Sequence, residues 1–149
     1  MTSAAPRSVT RPAHAKLNVF LRVLGTRSDG YHDLESLVLP LSLSDLVTVT
    51  DADHLHLDVH AEGGLPESVD AGGMNLSLVA ALALAEACEG PGRGAEIRIA
   101  KRIPVAAGLG GGSADAAATL FALNELWGCE LELDTLLSIG EQIDRKSVV

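Results

Sequence analysis

The chain has 149 residues, 47% of them hydrophobic but only 3% aromatic, with a formal net charge of −9. That length suffices for one domain with a real, aliphatic core. The acidic balance, with a pI near 4.8, argues against nonspecific binding to nucleic acid or to an anionic membrane surface, yet leaves room for an anionic ligand held by backbone amides.

The first ten residues read as a frayed start leading into an edge strand. No apolar signal region stands there, and no run approaches membrane-spanning length, so a cytoplasmic location without a membrane partner is expected. Ala15 to Leu24 alternates, with Leu17, Val19, Leu21 and Val23 on one face and Lys16, Asn18, Phe20 and Arg22 on the other, which predicts a strand. Ser28-Asp29-Gly30 marks a turn, with Tyr31 and His32 immediately after it. Leu34 to Leu43 and Leu46 to Thr50 read as two strands separated by Ser44-Asp45, and Leu55, Leu57 and Val59 alternate again.

Gly63 to Gly73 is expected as a loop. Asn75 would cap a helix from about Leu76 to Cys88, with Leu78, Leu82 and Ala85 at helical spacing. Ala95 to Ala100 predicts a strand with Ile97 and Ile99 inward, and helices follow over Ser113 to Trp127 and Leu133 to Ile143. Strands first, then helix, strand, loop and helix, predict an α+β domain: a mostly antiparallel sheet backed by helices. Cys88 and Cys129 lack metal-type spacing and read as buried, reduced thiols. His14, His54, His56 and His60 form no recognisable metal pattern.

The stretch richest in chemistry is Pro104-Val-Ala-Ala-Gly108-Leu109-Gly110-Gly111-Gly112-Ser113, followed by Ala114, Asp115 and three more alanines. Glycines reach positive φ without a Cβ penalty, so successive N–H groups can line one concavity. The helix start behind them adds free amides and the positive end of its dipole. A phosphate suits that arrangement; a flexible strand-to-helix loop is the plainer alternative. It is not a Walker loop, since no lysine precedes Ser113, nor a Gly-x-Gly-x-x-Gly fingerprint, which fails at Ser113, nor a nucleophile elbow, which needs a glycine where Asp115 stands.

This stretch closely resembles the second signature motif of the GHMP kinases, the superfamily of galactokinase, homoserine kinase and mevalonate kinase. The resemblance implies the N-terminal domain of that fold, ATP and Mg²⁺ as cofactors, and nucleotide contacts from Pro104, Gly108, Leu109, Gly110, Gly111, Gly112 and Ser113. Ala15-Lys16-Leu17-Asn18-Val19, followed by Arg27-Ser28-Asp29-Gly30-Tyr31-His32-Asp33-Leu34, resembles the N-terminal signature of the branch that phosphorylates the 2-hydroxyl of 4-diphosphocytidyl-2-C-methyl-D-erythritol, a step of non-mevalonate isoprenoid biosynthesis. By that resemblance Lys16 is the active-site lysine and Asn18 contacts the sugar alcohol. Tyr31 and His32 would hold the cytosine, by stacking and by pairing with its polar edge. Asn75 would lie near the adenine and Lys101 near the nucleotide. Read from pattern alone, Lys16 and Lys101 could equally be solvated strand residues, Tyr31 a turn aromatic and Asn75 a helix cap.

Other acceptors, homoserine or mevalonate, are the alternative within the superfamily. A noncatalytic RNA-binding domain, of the ribosomal-protein type that shares this core topology, is the alternative outside it; the acidic charge opposes it. The family's catalytic aspartate lies in Gly-Ala/Ser-Asp-Val-Pro after the third helix, and Asp144, Lys146 and Val148 stand where Gly, Asp and Pro are expected. Residues 144–149, Asp-Arg-Lys-Ser-Val-Val, resemble the translation of a sequencing adapter in one frame. They are therefore expected to be a non-native tail on residues 1–143 of a truncated domain, without the C-terminal GHMP domain and inactive as it stands.

Overall fold

The computed structural model describes residues 5–65, 75–89 and 93–147, with no side chains for the last three of these. Along the chain come β1 (Ser8–Thr26), β2 (His32–Asp51), β3 (Leu55–Ala61), α1 (Leu76–Ala87), β4 (Ala95–Lys101), α2 (Gly111–Trp127) and α3 (Leu133–Ser147). The sheet order is β1-β2-β4-β3. β2 is antiparallel to both β1 and β4, whereas β3 and β4 are parallel. A parallel pair needs a long crossover, and α1 lies in it. The expected α+β architecture, mostly antiparallel and backed by helices, is the one observed.

The core follows the strand period. Val47 and Val49 on β2 and Ile97 and Ile99 on β4 alternate inward and are fully buried, against Leu84 of α1 and Leu120, Leu123 and Leu126 of α2. α1 buries a different face from the one its leucines suggest: Ser77, Ala80, Ala81 and Leu84 point in, while Leu82 is exposed. The helix is apolar almost all round, so periodicity does not select a face, and small alanines go where helices approach closely.

Two strand expectations need correction. Ser44-Asp45 do not separate two strands, because β2 runs unbroken through them. Asp45 is fully buried, and its Oδ1 accepts the N–H groups of Arg102 (2.5 Å) and Ile103 (2.8 Å), so it serves the neighbouring strand end instead of a turn. The irregularity lies just before it: His14 pairs with Ser44 but Lys16 with Pro40, leaving residues 41–43 opposite Ala15 alone. Nor is one face of Ala15 to Leu24 buried. Leu17, Val19, Leu21 and Val23 are all exposed, because this half of the β1–β2 hairpin extends beyond the layer of helices.

The helices also depart from expectation at their ends. α2 starts at Gly111, two residues before Ser113, and α3 runs on past Ile143 to Ser147. The cysteines are not free thiols: Cys88 and Cys129 form a disulfide. Cys88 is the C-cap of α1, and Cys129 follows the left-handed Gly128 that ends α2, so two helix ends meet with their Cα atoms 5.4 Å apart. Met74 and most of the 63–73 loop lie outside the described residues.

Candidate phosphate-binding site

After β4 the chain turns sharply. Gly108 (φ 73°) and Gly110 (φ 69°) adopt the left-handed conformation that glycine enters freely, and Ala106 (φ 58°) adopts it against its Cβ. Gly110 is the N-cap of α2, and no side chain among the described residues caps the helix. The first amide of α2 to find a backbone acceptor is that of Ala114, bonded to Gly110 O (3.0 Å). Among the described residues, nothing accepts from the amides of Gly111, Gly112 and Ser113, and Gly112 and Ser113 are exposed. Three free donors and the positive end of a 17-residue helix thus face one spot. Gly111 and Gly112 contribute as the helix's first turn, not as loop residues.

β1 reaches this turn. The Lys16 amide donates to Leu109 O (2.9 Å), and the Lys16 side chain lies across Gly110, where a Cβ would stand 3.0 Å from its Cγ. Lys16 and Asn18 are both half-buried. Asn18 Oδ1 accepts from Ser36 Oγ (3.3 Å) across the hairpin.

Tyr31 and His32 are placed elsewhere. The 27–30 turn forms as expected, with Gly30 at φ 85° and the Tyr31 amide bonded to Asp29 Oδ1 (3.1 Å). His32 Nδ1 lies 3.1 Å from Thr26 Oγ1, at the hairpin tip. Thr26, the register partner of His32, lies ten residues beyond Lys16, on the order of 30 Å of strand at about 3.3 Å per residue. The structure thus spaces the four residues along one hairpin, whose register shifts at Asn18/Phe20 and Val23/Gly25 bend the strand between them. It puts Lys16 and Asn18 at the base of the arm, beside the glycine turn, and Tyr31 and His32 at its end.

Asn75 is a cap: its Oδ1 accepts from the Ser77 amide (2.9 Å). Pro104 is exposed on the outside of the turn. Ser113 Oγ donates to Asp144 Oδ1 (3.0 Å), joining the start of α2 to the end of α3. Between these helices and the start of α1 lies an apolar cavity of about 240 Å³, with Ser113, Glu141 and Asp144 among the residues that line it.

Lys101 departs most from expectation. It is neither a solvated strand end nor open to a nucleotide, being 5% exposed. Its Nζ donates to Asp45 Oδ2 and, at 2.7 Å, to Asp115 Oδ2. Burial would lower the Lys101 pKa, but the hydrogen bonds and charges of Asp115 and Asp45 outweigh it and hold the amine above its ordinary value. Burial pushes the Asp115 carboxyl up to about 7, with Asp45 adding to the rise and Lys101 opposing it. The sequence reading missed both aspartates. Asp45 resembles a turn residue, and Asp115 stands in an alanine run; the only available signal was a carboxylate at each position that the apolar pattern otherwise buries.

A left-handed glycine turn feeding an uncapped helix, laid against a lysine of the first strand on a mostly antiparallel sheet, defines a class. The chain belongs to the GHMP kinases, as their N-terminal domain; residues 75–148 match the family described as "GHMP kinases N terminal domain". Among its relatives is the 4-diphosphocytidyl-2-C-methyl-D-erythritol kinase of Alcanivorax borkumensis, 44% identical over 133 residues, covering 89% of this chain and 44% of that one. The Saccharopolyspora erythraea protein of the same name is 46% identical over 143 residues, covering 93% of this chain and 43% of its own. The chain thus spans less than half the length of the curated relatives it matches. A crystal structure of 4-(cytidine 5'-diphospho)-2C-methyl-D-erythritol kinase superposes with a TM-score of 0.69 at 38% identity, over 91% of this chain and 46% of that one. The homoserine kinase of Cytophaga hutchinsonii, at 21% identity and a TM-score of 0.64 over 97% of this chain and 43% of that one, shares the fold.

Proposed function

We propose that this chain is the nucleotide-phosphate-binding half of an ATP-dependent kinase whose acceptor is 4-diphosphocytidyl-2-C-methyl-D-erythritol. The observation that carries the reading is the junction of Lys16 with the glycine turn, which lays a lysine side chain of the first strand against the turn that leads into three free amides. The names of the relatives, at 44–49% identity, point to the cytidylyl substrate and not to homoserine or mevalonate.

In this reading the bond between the γ-phosphorus and the bridging oxygen of ATP breaks, ADP leaves, the γ-phosphoryl bonds to the acceptor's 2-hydroxyl oxygen, and the hydroxyl proton passes to a base or to water. The amides of Gly111, Gly112 and Ser113 hold phosphate oxygens, and the Lys16 amine offsets charge building near the acceptor. Such transfer depends on positioning and electrostatics more than on covalent chemistry. Among the described residues no three His, Cys, Asp or Glu side chains gather into a metal site. The expected Mg²⁺ would need only one or two protein oxygens beside the phosphates and water, and no step here is assigned to a protein-held ion. Tyr31 and His32 are proposed to hold the cytosine from the arm's tip. ATP chemistry favours the cytoplasm, where the Cys88–Cys129 pair would meet a reducing pool; among the described residues no helix is long and apolar enough to cross a membrane.

Position 146 of this chain is lysine, where the family motif would place the aspartate that accepts the hydroxyl proton. Residues 144–149 are proposed to be foreign to the domain. Loss of a positioned base costs about 10²–10⁴-fold in rate. The test is ATP binding by calorimetry, then coupled ADP release with the cytidylyl substrate. The comparison protein carries the Gly-Ala-Asp-Val-Pro motif after residue 143 and a second domain. The expected result is ATP binding by both and turnover at least about 100-fold slower in this chain. No ATP binding, or equal turnover with homoserine or mevalonate, would overturn the reading.

A further inference from the structure

Beneath the glycine turn three ionisable side chains are closed off from water: Asp45, Lys101 and Asp115, at 0%, 5% and 4% exposure. They come from β2, β4 and α2. With both carboxylates ionised, one positive and two negative groups leave the cluster a net charge of −1. A buried uncompensated charge is costly, and a proton removes it.

The hydrogen bonds decide where that proton goes. Asp45 accepts from three donors: the amides of Arg102 and Ile103 and the amine of Lys101. Asp115 accepts from Lys101 alone, through Oδ2, and its Oδ1 is buried without a hydrogen-bond partner. Three donors already face Asp45, so Asp115, with one donor and an unpartnered buried oxygen among the described residues, is the group with room for a proton. The charges acting on Asp115 come from Lys101 on β4 and Asp45 on β2; of the other elements packed around α2, β1 lays the Lys16 side chain over Gly110 and α3 brings Asp144 to Ser113 Oγ. The carboxyl's rise to about 7, caused first by burial, agrees with this assignment.

The cluster sits directly under the candidate phosphate site. A Cβ on Gly111 would stand 3.3 Å from Lys101 Nζ, and Asp115 is one helical turn beyond Gly111. An anion on the amides of Gly111 to Ser113 would therefore lie within a Debye length of Asp115, across protein that screens poorly. Bound negative charge disfavours a second negative charge beneath it.

We propose that Asp115 is a positioning acid that couples the binding of a phosphate-bearing ligand at the glycine turn to the uptake of one proton from solvent. With Asp115 neutral, the cluster balances to zero and no longer opposes the anion. The inference rests on the phosphate-binding reading and assigns that site its pH dependence.

The test is calorimetric titration of this chain with ATP between pH 8 and 9, where the nucleotide's own phosphates are fully ionised, in two buffers of different ionisation enthalpy. Wild type should take up as much as one proton per ATP, and its affinity should fall by up to about tenfold per pH unit. The D115N variant has no proton to gain. It should show neither effect and keep an affinity near the wild-type value at lower pH. A merely structural role for Asp115 would change affinity without removing the slope. ATP binding by wild type with no buffer dependence and no slope overturns the inference alone, as does a slope that survives in D115N. No ATP binding at all removes the phosphate reading with it. The wild-type measurements decide the matter even if D115N fails to fold.

Discussion

The side chain of Lys16 occupies the space that a Cβ on Gly110 would need, with Cγ and Cε at 3.0 and 3.1 Å from that point. Gly110 also sits at φ 69°, which any other L residue enters at a cost of roughly 1–2 kcal/mol. Gly110→Ala should therefore destabilise the chain by about that amount and shift Lys16. Gly112→Ala makes a different test. Its φ is not in the left-handed region, and the nearest atom to a new Cβ is Leu76 Cδ1 at 3.9 Å, an ordinary contact. It should stabilise by up to about 1 kcal/mol, through helix propensity. If phosphate seats on this turn, the same variant weakens ATP binding, because its methyl group stands beside exposed amides. Urea unfolding and ATP titration of the two variants separate the effects, and equal destabilisation by both would contradict the geometry.

Asp45→Ala removes the acceptor for the Arg102 and Ile103 amides and for half of the Lys101 ammonium's bonding. Breaking a buried ion pair on one side costs about 3–5 kcal/mol. Denaturant unfolding should show a loss of that order or no folded protein at all. A change below about 1 kcal/mol, the size expected of an exposed pair, would mean that the cluster is wetter than its burial indicates.

Asp115 gives stability a definite pH sign. Its carboxyl is raised from 3.8 to about 7 in the folded chain, so the folded state binds more protons than the unfolded state between those values. Stability contributed by this group is present at low pH and lost as pH rises from about 4 to about 7, at up to about 1.4 kcal/mol per pH unit. Other carboxylates add their own slopes, so the readout is the difference between wild type and D115N. That difference should grow in favour of D115N across the window and level off above it. Parallel curves would refute the shift.

The Cys88–Cys129 disulfide closes a loop of 41 residues. Chain-entropy arguments give about 4 kcal/mol for a loop of that size. Reduction, or replacement of both cysteines by serine, should lower unfolding stability by about 2–4 kcal/mol. Thermal melts with and without reductant check it; identical melts would show that the bond does not form in solution.

Elements with one buried side were legible in the sequence. Val47, Val49, Ile97 and Ile99 alternate because a single layer of helices covers one face of the sheet there, and period two reads out that asymmetry. The outer hairpin alternates as clearly, yet Leu17 and Val19 are both exposed, because alternation registers strand geometry and not what lies beside the strand. In the site, the glycine turn and Lys16 were legible as local motifs. Three facts were not: that Lys101 turns inward, that Asp45 receives it, and that Asp115 completes the cluster. Each depends on a pairing across 14 or 56 residues, which no local window contains. Tyr31 and His32 were read as following their turn, as they do, but motif matching gives no distance along an arm.

The strand order β1-β2-β4-β3 puts the last strand made between two earlier ones. β2 and β3 leave the ribosome without each other as partners and must wait for β4. Asp45 waits for Lys101, 56 residues later; at about 5–20 residues per second of synthesis, that is roughly 3–11 seconds. During that interval the inner edge of β2 is open and its carboxylate remains in water. Closure of the sheet, dehydration of Asp45 and seating of the amine beneath the future glycine turn all have to follow the synthesis of β4.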